Sequence, residues 1–247
     1  MPSTAVSADE DERASDPGSD ARPISFFAAH EYPWTDPADT WVPGRPDCDL
    51  SGRTPVVAVG SNASPAVLAA KLRGVSGDRR PPLTRVQVPG IAVGHSAHVA
   101  ARGYIPAAPF RHEGAVLDTV TAWLTDVEVA ALDATEPNYR RVRLRIAEHP
   151  VDGLPIATAD ISFYVSRHGL LGEPGSSTPV AFTAQADIVA WLFAHLDDPV
   201  LRGPIDEVCG SLAKPETTRR ITDAIRSAGL VVTTTPAGFS SESTARQ

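Results

Sequence analysis

The sequence predicts an α+β fold, a compact mixed β-barrel with a few flanking helices. Between residues 55 and 165, most stretches are short runs of β-branched and apolar residues, which are typical of strands. The longer helical patterns begin only after residue 185. Strands that precede helices in this way favour a barrel-like or segregated sheet over the parallel sheet that alternating βαβ units would build.

The stretch at 55–72 has the clearest local pattern. Its β-branched run ends at Gly60, and Ser64 followed by Pro65 suits the N-cap and the first position of a helix. We therefore predict a strand, a tight loop and a helix. Backbone N–H groups in such a loop, next to a helix N-terminus, can hold an anion such as a carboxylate. An ordinary strand-to-helix turn is the alternative interpretation.

The remaining elements follow from hydrophobic periodicity and from turn residues. Further strands are predicted at 85–93, 96–101, 115–124, 139–146 and 159–165, with a bend at Pro89 and Gly90 in the first of them. Helices are predicted at 126–134, 186–196 and 215–229, and a flexible loop at 169–179.

Composition divides the 247 residues into five segments. Residues 1–22 are acidic and lack large apolar side chains, so we predict a disordered tail. Residues 23–54 are proline-rich and predict an extended arm that packs on a domain or covers a site. The large aromatic residues of this arm are Phe26, Phe27, Tyr32, Trp34 and Trp41. A core domain is predicted at 55–185, C-terminal helices at 186–232 and a disordered polar tail at 233–247.

The totals exclude several classes of protein. The net charge is −8 and no basic cluster suggests a nucleic-acid footprint, so no nucleic-acid partner is expected. No apolar run approaches the length of a membrane span, and no basic segment followed by an apolar one suggests a signal peptide. Two distant cysteines make no disulfide framework. We expect a cytoplasmic protein without a membrane partner.

Two patterns that often mark active sites are weak in this chain. Gly60 and Ser61 are not part of a nucleophile elbow, because alanine follows where that motif needs its second glycine. His95 and His98 are three residues apart, which places them on opposite faces of a strand. Packing or surface roles are therefore favoured over a shared metal ion, and we predict no metal site.

A row of arginines in the strand at 139–146 is a further candidate. Arg141, Arg143 and Arg145 alternate with apolar residues and share one face of that strand. Such a face could attract an anion, although a solvated outer face is the simpler interpretation.

The segment 132–142 places carboxylates between a short apolar helix and a strongly patterned strand. Asp133 and Glu136 end the helix, and Tyr139 begins the strand. A carboxylate that is partly buried at such a junction is suited to proton transfer. The alternative is that Glu136 or Asp133 only terminates a helix at the surface.

Together these stretches resemble the γ-glutamylcyclotransferase-like family, over about residues 55–170. That family has a Gly-Ser loop after its first strand, as in Val59-Gly60-Ser61-Asn62 here. Its middle has a helix that ends in Leu-Asp-x-x-Glu and a following strand that begins with Tyr-x-Arg. The matching stretches are Leu132-Asp133-Ala134-Thr135-Glu136, then Tyr139-Arg140-Arg141, and in a later strand Tyr164-Val165.

The resemblance implies a barrel with a cavity at the loop, and Glu136 as the general acid/base. It implies that the loop amides hold the α-carboxylate of a γ-glutamyl group, whose own amine attacks the γ-carbonyl to form 5-oxoproline. No metal or organic cofactor is implied. The substrate-binding positions that it implies are Val59, Gly60, Ser61, Asn62, Tyr139 and Tyr164.

One departure leaves two interpretations of function open. The family's usual loop tyrosine is Val59 here, which removes an aromatic hydroxyl near the pocket. The chain is therefore either a cyclotransferase that acts on a small γ-glutamyl amine or peptide, or a non-catalytic relative that binds a carboxylated ligand or a partner. Glu136 favours the enzyme. We expect a monomer or a homodimer.

Overall fold

The computed structural model describes residues 27–35, 49–77, 79–233 and 239–241. Its strands are β1 (Thr54–Val57), β2 (Leu83–His95), β3 (Ala107–Leu124), β4 (Tyr139–Arg145), β5 (Asp160–Ser166), β6 (Leu170–Leu171), β7 (Val231–Val232) and β8 (Phe239–Ser241). Its helices are α1 (Pro65–Ser76), α2 (Asp126–Ala134), α3 (Gln185–Leu196), α4 (Ile205–Leu212) and α5 (Pro215–Ser227). Short 3₁₀ turns occur at Ala29–Glu31, Gly60–Ala63 and Pro199–Leu201.

A six-stranded mixed sheet forms the centre, in the order β2-β3-β1-β5-β4-β8. All neighbouring pairs are antiparallel except β1 and β5, which run parallel with Val56 opposite Ser162. The mixed α+β class predicted from the sequence is confirmed. Among the described strands no ladder joins β2 to β8, so the closed barrel is not observed and stays a prediction.

The opening strand, loop and helix form where the sequence predicts them. Ser64 caps α1, its Oγ accepting a hydrogen bond of 3.4 Å from the backbone N–H of Val67, and Pro65 is the first helical residue. The helix continues beyond residue 72 to Ser76 and ends at Gly77, whose positive φ of 59° suits a glycine.

Helix α2 packs directly on α1. A capping box fixes its first turn: Thr125 Oγ1 accepts from Glu128 N at 3.3 Å, and Glu128 Oε2 accepts from Thr125 N at 2.9 Å. Apolar side chains of the two helices form one buried cluster with the sheet, including Leu68, Leu72, Val129 and Leu132. This packing positions the end of α2, and therefore the Glu136 turn, close to the loop after β1.

The strand patterns are confirmed in β2 and β4 but not at 96–101. The register of β2 shifts between Pro89 and Ile91, at the predicted bend. In β4 the apolar side chains Val142 and Leu144 are buried between more exposed arginines. Residues 96–101 contain one isolated bridge, at Ser96, and turns instead of the predicted strand. Those residues are nevertheless buried in part, because Ala97 and Val99 join the C-terminal helical cluster.

The helices α3, α4 and α5 form a second apolar cluster beside the sheet. The sequence predicts α3 and α5 but not α4, although its Val208, Cys209 and Leu212 are buried at helical spacing. The predicted loop at 169–179 contains β6, which pairs with β7. Within the predicted tail at 233–247, residues Phe239–Ser241 pair with β4 as β8 instead of being disordered.

Of the predicted arm at 23–54, residues 27–35 and 49–54 are described, and the first of these segments packs on the domain. Tyr32 and Trp34 are buried together with Val67 and Ala107. Packing, one of the two roles expected for the arm, is therefore observed. The predicted tail at 1–22 lies outside the described residues. No described helix has the length and apolarity needed to cross a membrane.

Candidate functional site

A cavity of about 230 Å³ lies between the loop after β1 and the junction of α2 with β4. Of the predicted site residues, six line it: Val59, Ser61, Asn62, Glu136, Tyr139 and Tyr164. Further lining residues that were not predicted are Tyr32, Val57, Lys71, Arg102, Tyr104, Pro106, Ala107 and Thr135. The structure therefore brings together residues that are far apart in the sequence, and it adds two cations to them.

Glu136 forms an ion pair in the wall of this cavity. Lys71 Nζ lies 2.7 Å from Glu136 Oε1, and Asn62 Nδ2 donates to the same oxygen at 3.0 Å. Lys71 also donates to Asn62 Oδ1 at 2.8 Å, so the three side chains close a triangle. The side chains of Lys71 and Glu136 are only 11% and 12% exposed. At that burial, each of the two charges needs the other as its partner.

The second carboxylate oxygen, Oε2 of Glu136, makes no hydrogen bond to the described part of the chain, since both bonds end on Oε1. The turn that carries Glu136 is held by backbone bonds, from Glu136 N to Asp133 O at 3.1 Å and from Tyr139 N to Glu136 O at 3.0 Å. A carboxylate oxygen without a protein donor, on a positioned turn beside a cavity, is available to accept a proton from a bound molecule.

Sequence reasoning missed Lys71, although the chain contains a signal for it. Lys71 is the only charged residue in the helical stretch 65–72, whose other residues are alanine, valine, leucine and proline. A lone lysine in such a stretch requires either exposure or a partner. The partner is Glu136, 65 residues away in the sequence.

Gly60 does not line the cavity, but no other residue type fits its position. Its φ is +64°, and a Cβ there would collide with the Tyr32 hydroxyl and lie 3.0 Å from Ala107 Cβ. The loop thus passes directly over the hydroxyl of an arm residue. Gly60 therefore permits a close approach of the Tyr32 hydroxyl to the loop backbone.

Tyr32 supplies an aromatic hydroxyl beside the loop, where Val59 has none. Its Oη accepts from the backbone N–H of Ala107 at 3.0 Å, and its ring stacks on Tyr104 with centroids 4.3 Å apart. Burial raises the pKa of Tyr32 far above its usual value, while the backbone N–H groups of Ala107 and Ser61 act in the opposite direction. The arm therefore both packs and contributes to the cavity.

Tyr139 and Tyr164 line the cavity with their hydroxyls already bonded. Tyr139 Oη donates to Ala107 O at 2.9 Å, and Tyr164 Oη donates to Asp133 Oδ1 at 2.6 Å. Burial is the main cause that raises the pKa of each phenol. Asp133 also binds Arg141 at 3.1 Å and does not line the cavity. The two rings therefore shape the wall, and Asp133 is separate from Glu136 in role.

Arg102 and Tyr104 complete the side of the cavity that faces the arm. The Arg102 guanidinium lies over the Trp34 ring at 4.9 Å and donates to the Phe27 carbonyl. Burial lowers the pKa of Arg102, and burial together with the Glu136 charge raises the pKa of Tyr104 to about 12. Lys71 and Arg102 each carry a positive charge and Glu136 carries a negative one, so the described lining has one net positive charge.

The two histidines of the sequence analysis lie elsewhere and are buried. His95 Nε2 accepts from Thr183 N at 3.0 Å, and burial lowers its pKa to about 4. His98 Nδ1 bonds Ser96 Oγ at 2.6 Å and its ring stacks on His168, while burial lowers its pKa to about 3. Packing roles account for both. Among the described residues, no group of three or more His, Cys, Asp or Glu side chains is arranged to hold a metal ion.

No family model matches the sequence, and no curated protein matches it. Two solution structures of Arabidopsis thaliana proteins are similar to parts of the chain. At3g28950.1 is 17% identical, over 62% of this chain and 82% of that protein, with a TM-score of 0.38. At5g39720.1 is 20% identical, over 49% of this chain and 74% of that protein, with a TM-score of 0.34.

Proposed function

We propose that the chain is a γ-glutamylcyclotransferase-type enzyme that converts a small γ-glutamyl amine or peptide to 5-oxoproline and a free amine. The observation that carries this proposal is Glu136, a partly buried carboxylate held through one oxygen by Lys71 and Asn62, with its other oxygen free of described protein donors. Cyclisation needs a positioned base for an ammonium proton and an acid for the leaving nitrogen.

In the proposed reaction, Glu136 takes a proton from the substrate's α-ammonium. The amine nitrogen then forms a bond to the γ-carbonyl carbon, and the bond from that carbon to the leaving nitrogen breaks. Glu136 returns that proton to the leaving nitrogen. The second proton, which the attacking nitrogen loses as it becomes the lactam N–H, follows the same route, so the amine leaves as an ammonium. The carboxylate is regenerated and no water is consumed. Nucleophile and electrophile belong to one molecule, so orientation within the cavity supplies much of the rate.

Lys71 and Asn62 act as positioning residues in this proposal. Without them, a carboxylate that is 12% exposed would have no described partner, and an unpaired charge is costly at that burial. Their bonds end on Oε1 and so leave Oε2 free for the bound molecule. The closed barrel implied by the family resemblance and the cytoplasmic location belong to the same proposal.

The Tyr32 hydroxyl suggests how the substrate carboxylate is held. Because Tyr32 Oη accepts from Ala107 N, its own proton remains available for donation. We assign it the role of donor to the α-carboxylate, together with the loop at Ser61. This arrangement offsets the loss of the loop tyrosine at Val59, since an arm residue delivers the missing hydroxyl.

The test is incubation with a panel of γ-glutamyl amino acids, amines and glutathione, with 5-oxoproline measured by chromatography. Production of 5-oxoproline from at least one member of the panel is the expected result. Failure of every member to react, with none binding in a calorimetric titration, would rule the proposal out.

A second candidate function is binding of a carboxylated ligand without turnover. It is favoured by the net positive lining, in which Lys71 and Arg102 outnumber Glu136. The same panel separates the two candidates. A γ-glutamyl compound that binds with measurable affinity but remains intact after long incubation would establish the binding protein and exclude the enzyme.

A further inference from the structure

A second cavity, of about 660 Å³, lies where the first residues of β3 and β4 meet the turn after β5 and the end of α5. It shares no described lining residue with the first cavity. Its lining combines four arginines with His168 and apolar side chains such as Phe110. Its volume falls in the range of small-molecule sites, about 300–1,000 Å³.

The lining of this second cavity is strongly basic. Four guanidinium groups reach it from separate elements, and no aspartate or glutamate lines it among the described residues. The four are Arg111 on β3, Arg140 on β4, Arg167 after β5 and Arg226 on α5. The chain as a whole carries a net charge of −8, so a cluster of positive charge is not expected from its overall composition.

Two of these cations have no anionic partner in the part of the chain that the structure describes. Arg140 and Arg167 form no ion pair there, and Arg167 Nε donates instead to the backbone carbonyl of Tyr139 at 2.8 Å. That bond orients the guanidinium plane without neutralising it. Arg226 pairs with Asp223 at 3.1 Å, but both side chains are more than half exposed, so the pair neutralises little.

Neutral imidazoles border the arginines. The two ring nitrogens of His149 lie 2.7 and 3.1 Å from the Arg111 guanidinium, and burial followed by the Arg111 charge lowers the pKa of His149. Burial followed by the Arg226 charge lowers the pKa of His168. The lowered pKa values keep the histidines from adding further positive charge near neutral pH, and their neutral rings can still form hydrogen bonds.

We propose that this cavity binds a small phosphate-bearing anion, independently of the reaction at the first cavity. Planar guanidinium groups match phosphate oxygens with paired hydrogen bonds, and several of them at one site suit a multiply charged group. Like charges that face one cavity repel each other, and a bound polyanion removes that repulsion. Arg140 and Arg167 are the central contacts in this proposal because both lack a described carboxylate.

The test is calorimetric titration with pyrophosphate, at an ionic strength held constant with sodium chloride. We expect one site per chain. Arg140→Gln and Arg167→Gln should each weaken binding about tenfold or more, because each removes charge-assisted hydrogen bonds. The affinity of Arg167→Lys should lie between those of the parent and Arg167→Gln. Lysine keeps the positive charge but lacks the paired N–H donors of the guanidinium group. Thermal unfolding of each variant checks that it is folded.

Arg219→Gln is the matched control, because Arg219 is an exposed arginine on α5 that does not line the cavity. Its affinity for pyrophosphate should equal that of the parent. The proposal is overturned if the parent binds no pyrophosphate at millimolar concentration, or if Arg140→Gln and Arg167→Gln bind it as the parent does. Binding of citrate but not of pyrophosphate would also overturn it, in favour of a carboxylate site.

Discussion

The two cavities of this chain differ in how their charges are balanced. In the first, Glu136 and Lys71 neutralise each other at 2.7 Å inside a wall of tyrosines. In the second, four guanidinium groups share the lining with no described carboxylate. The difference separates two kinds of chemistry. In our proposals, the paired carboxylate exchanges a proton with a bound substrate, whereas the unbalanced arginines attract an anionic solute.

The largest effect that tests this contrast is expected from Glu136→Gln. If Glu136 is the base of the first cavity, turnover to 5-oxoproline should fall by about 10²–10⁴, the usual share of a positioned proton-transfer group. The nearly isosteric amide should leave the fold intact, and substrate binding should survive. Initial rates and a calorimetric titration measure the two quantities.

The matched control for that substitution is Asp133→Asn. Asp133 lies one turn before Glu136 and does not line the cavity, and asparagine keeps an oxygen that can accept from Tyr164. Its rate should stay close to that of the parent. Full activity of Glu136→Gln would show that the balanced pair is structural and that the first cavity does no proton transfer.

The contribution of the Lys71–Glu136 ion pair to stability is tested by Lys71→Met. Removing the cation leaves a nearly buried carboxylate without its partner, so the free energy of unfolding should fall by about 3 kcal/mol in chemical denaturation. The double variant Lys71→Met, Glu136→Gln should regain part of that loss, because it removes the unpaired charge as well. Unchanged stability of Lys71→Met would contradict a balanced pair.

The geometry of the first cavity is tested at Gly60. Alanine there must adopt a φ of +64° and displace the Tyr32 hydroxyl, so Gly60→Ala should cost about 2–4 kcal/mol of stability. Adding Tyr32→Phe should relieve part of that cost. Gly74→Ala is the control, since a Cβ at Gly74 meets nothing within 4 Å, and it should stabilise α1 by about 0.5–1 kcal/mol. Equal effects at both glycines would mean that Tyr32 does not restrict the loop.

The smallest expected effect is a change in the pKa of His168, which lines the second cavity beside its arginines. Arg226 contributes to the lowered pKa of His168, after burial. Arg226→Gln removes a neighbouring positive charge, so the protonated imidazole becomes less unfavourable and the pKa of His168 should rise. An NMR titration of His168 in parent and variant measures the change. An unchanged or lower pKa would show that the positive charge of Arg226 does not act on the imidazole of His168.

Much of the local structure could be predicted from the sequence. The Ser64 cap of α1, the bounds of α2 and the alternation in β4 depend on residues within a few positions of each other, and the structure confirms them. The short helix α4 was missed because Pro204 and a run of only eight residues gave little periodicity to detect. The strand at 96–101 was wrong because its apolar residues pack against distant helices instead of pairing with a neighbouring strand.

By itself, the sequence determined the α+β class, the loop at Gly60 and the candidacy of Glu136. Only the tertiary structure placed Lys71 against Glu136 and Tyr32 against Ala107, across separations of 65 and 75 residues. It alone assembled the arginines of the second cavity from four elements. The physical reason is the sequence separation of the interacting residues. Helix caps and hydrophobic periodicity depend on neighbours along the chain, whereas ion pairs and cavities depend on how distant elements pack.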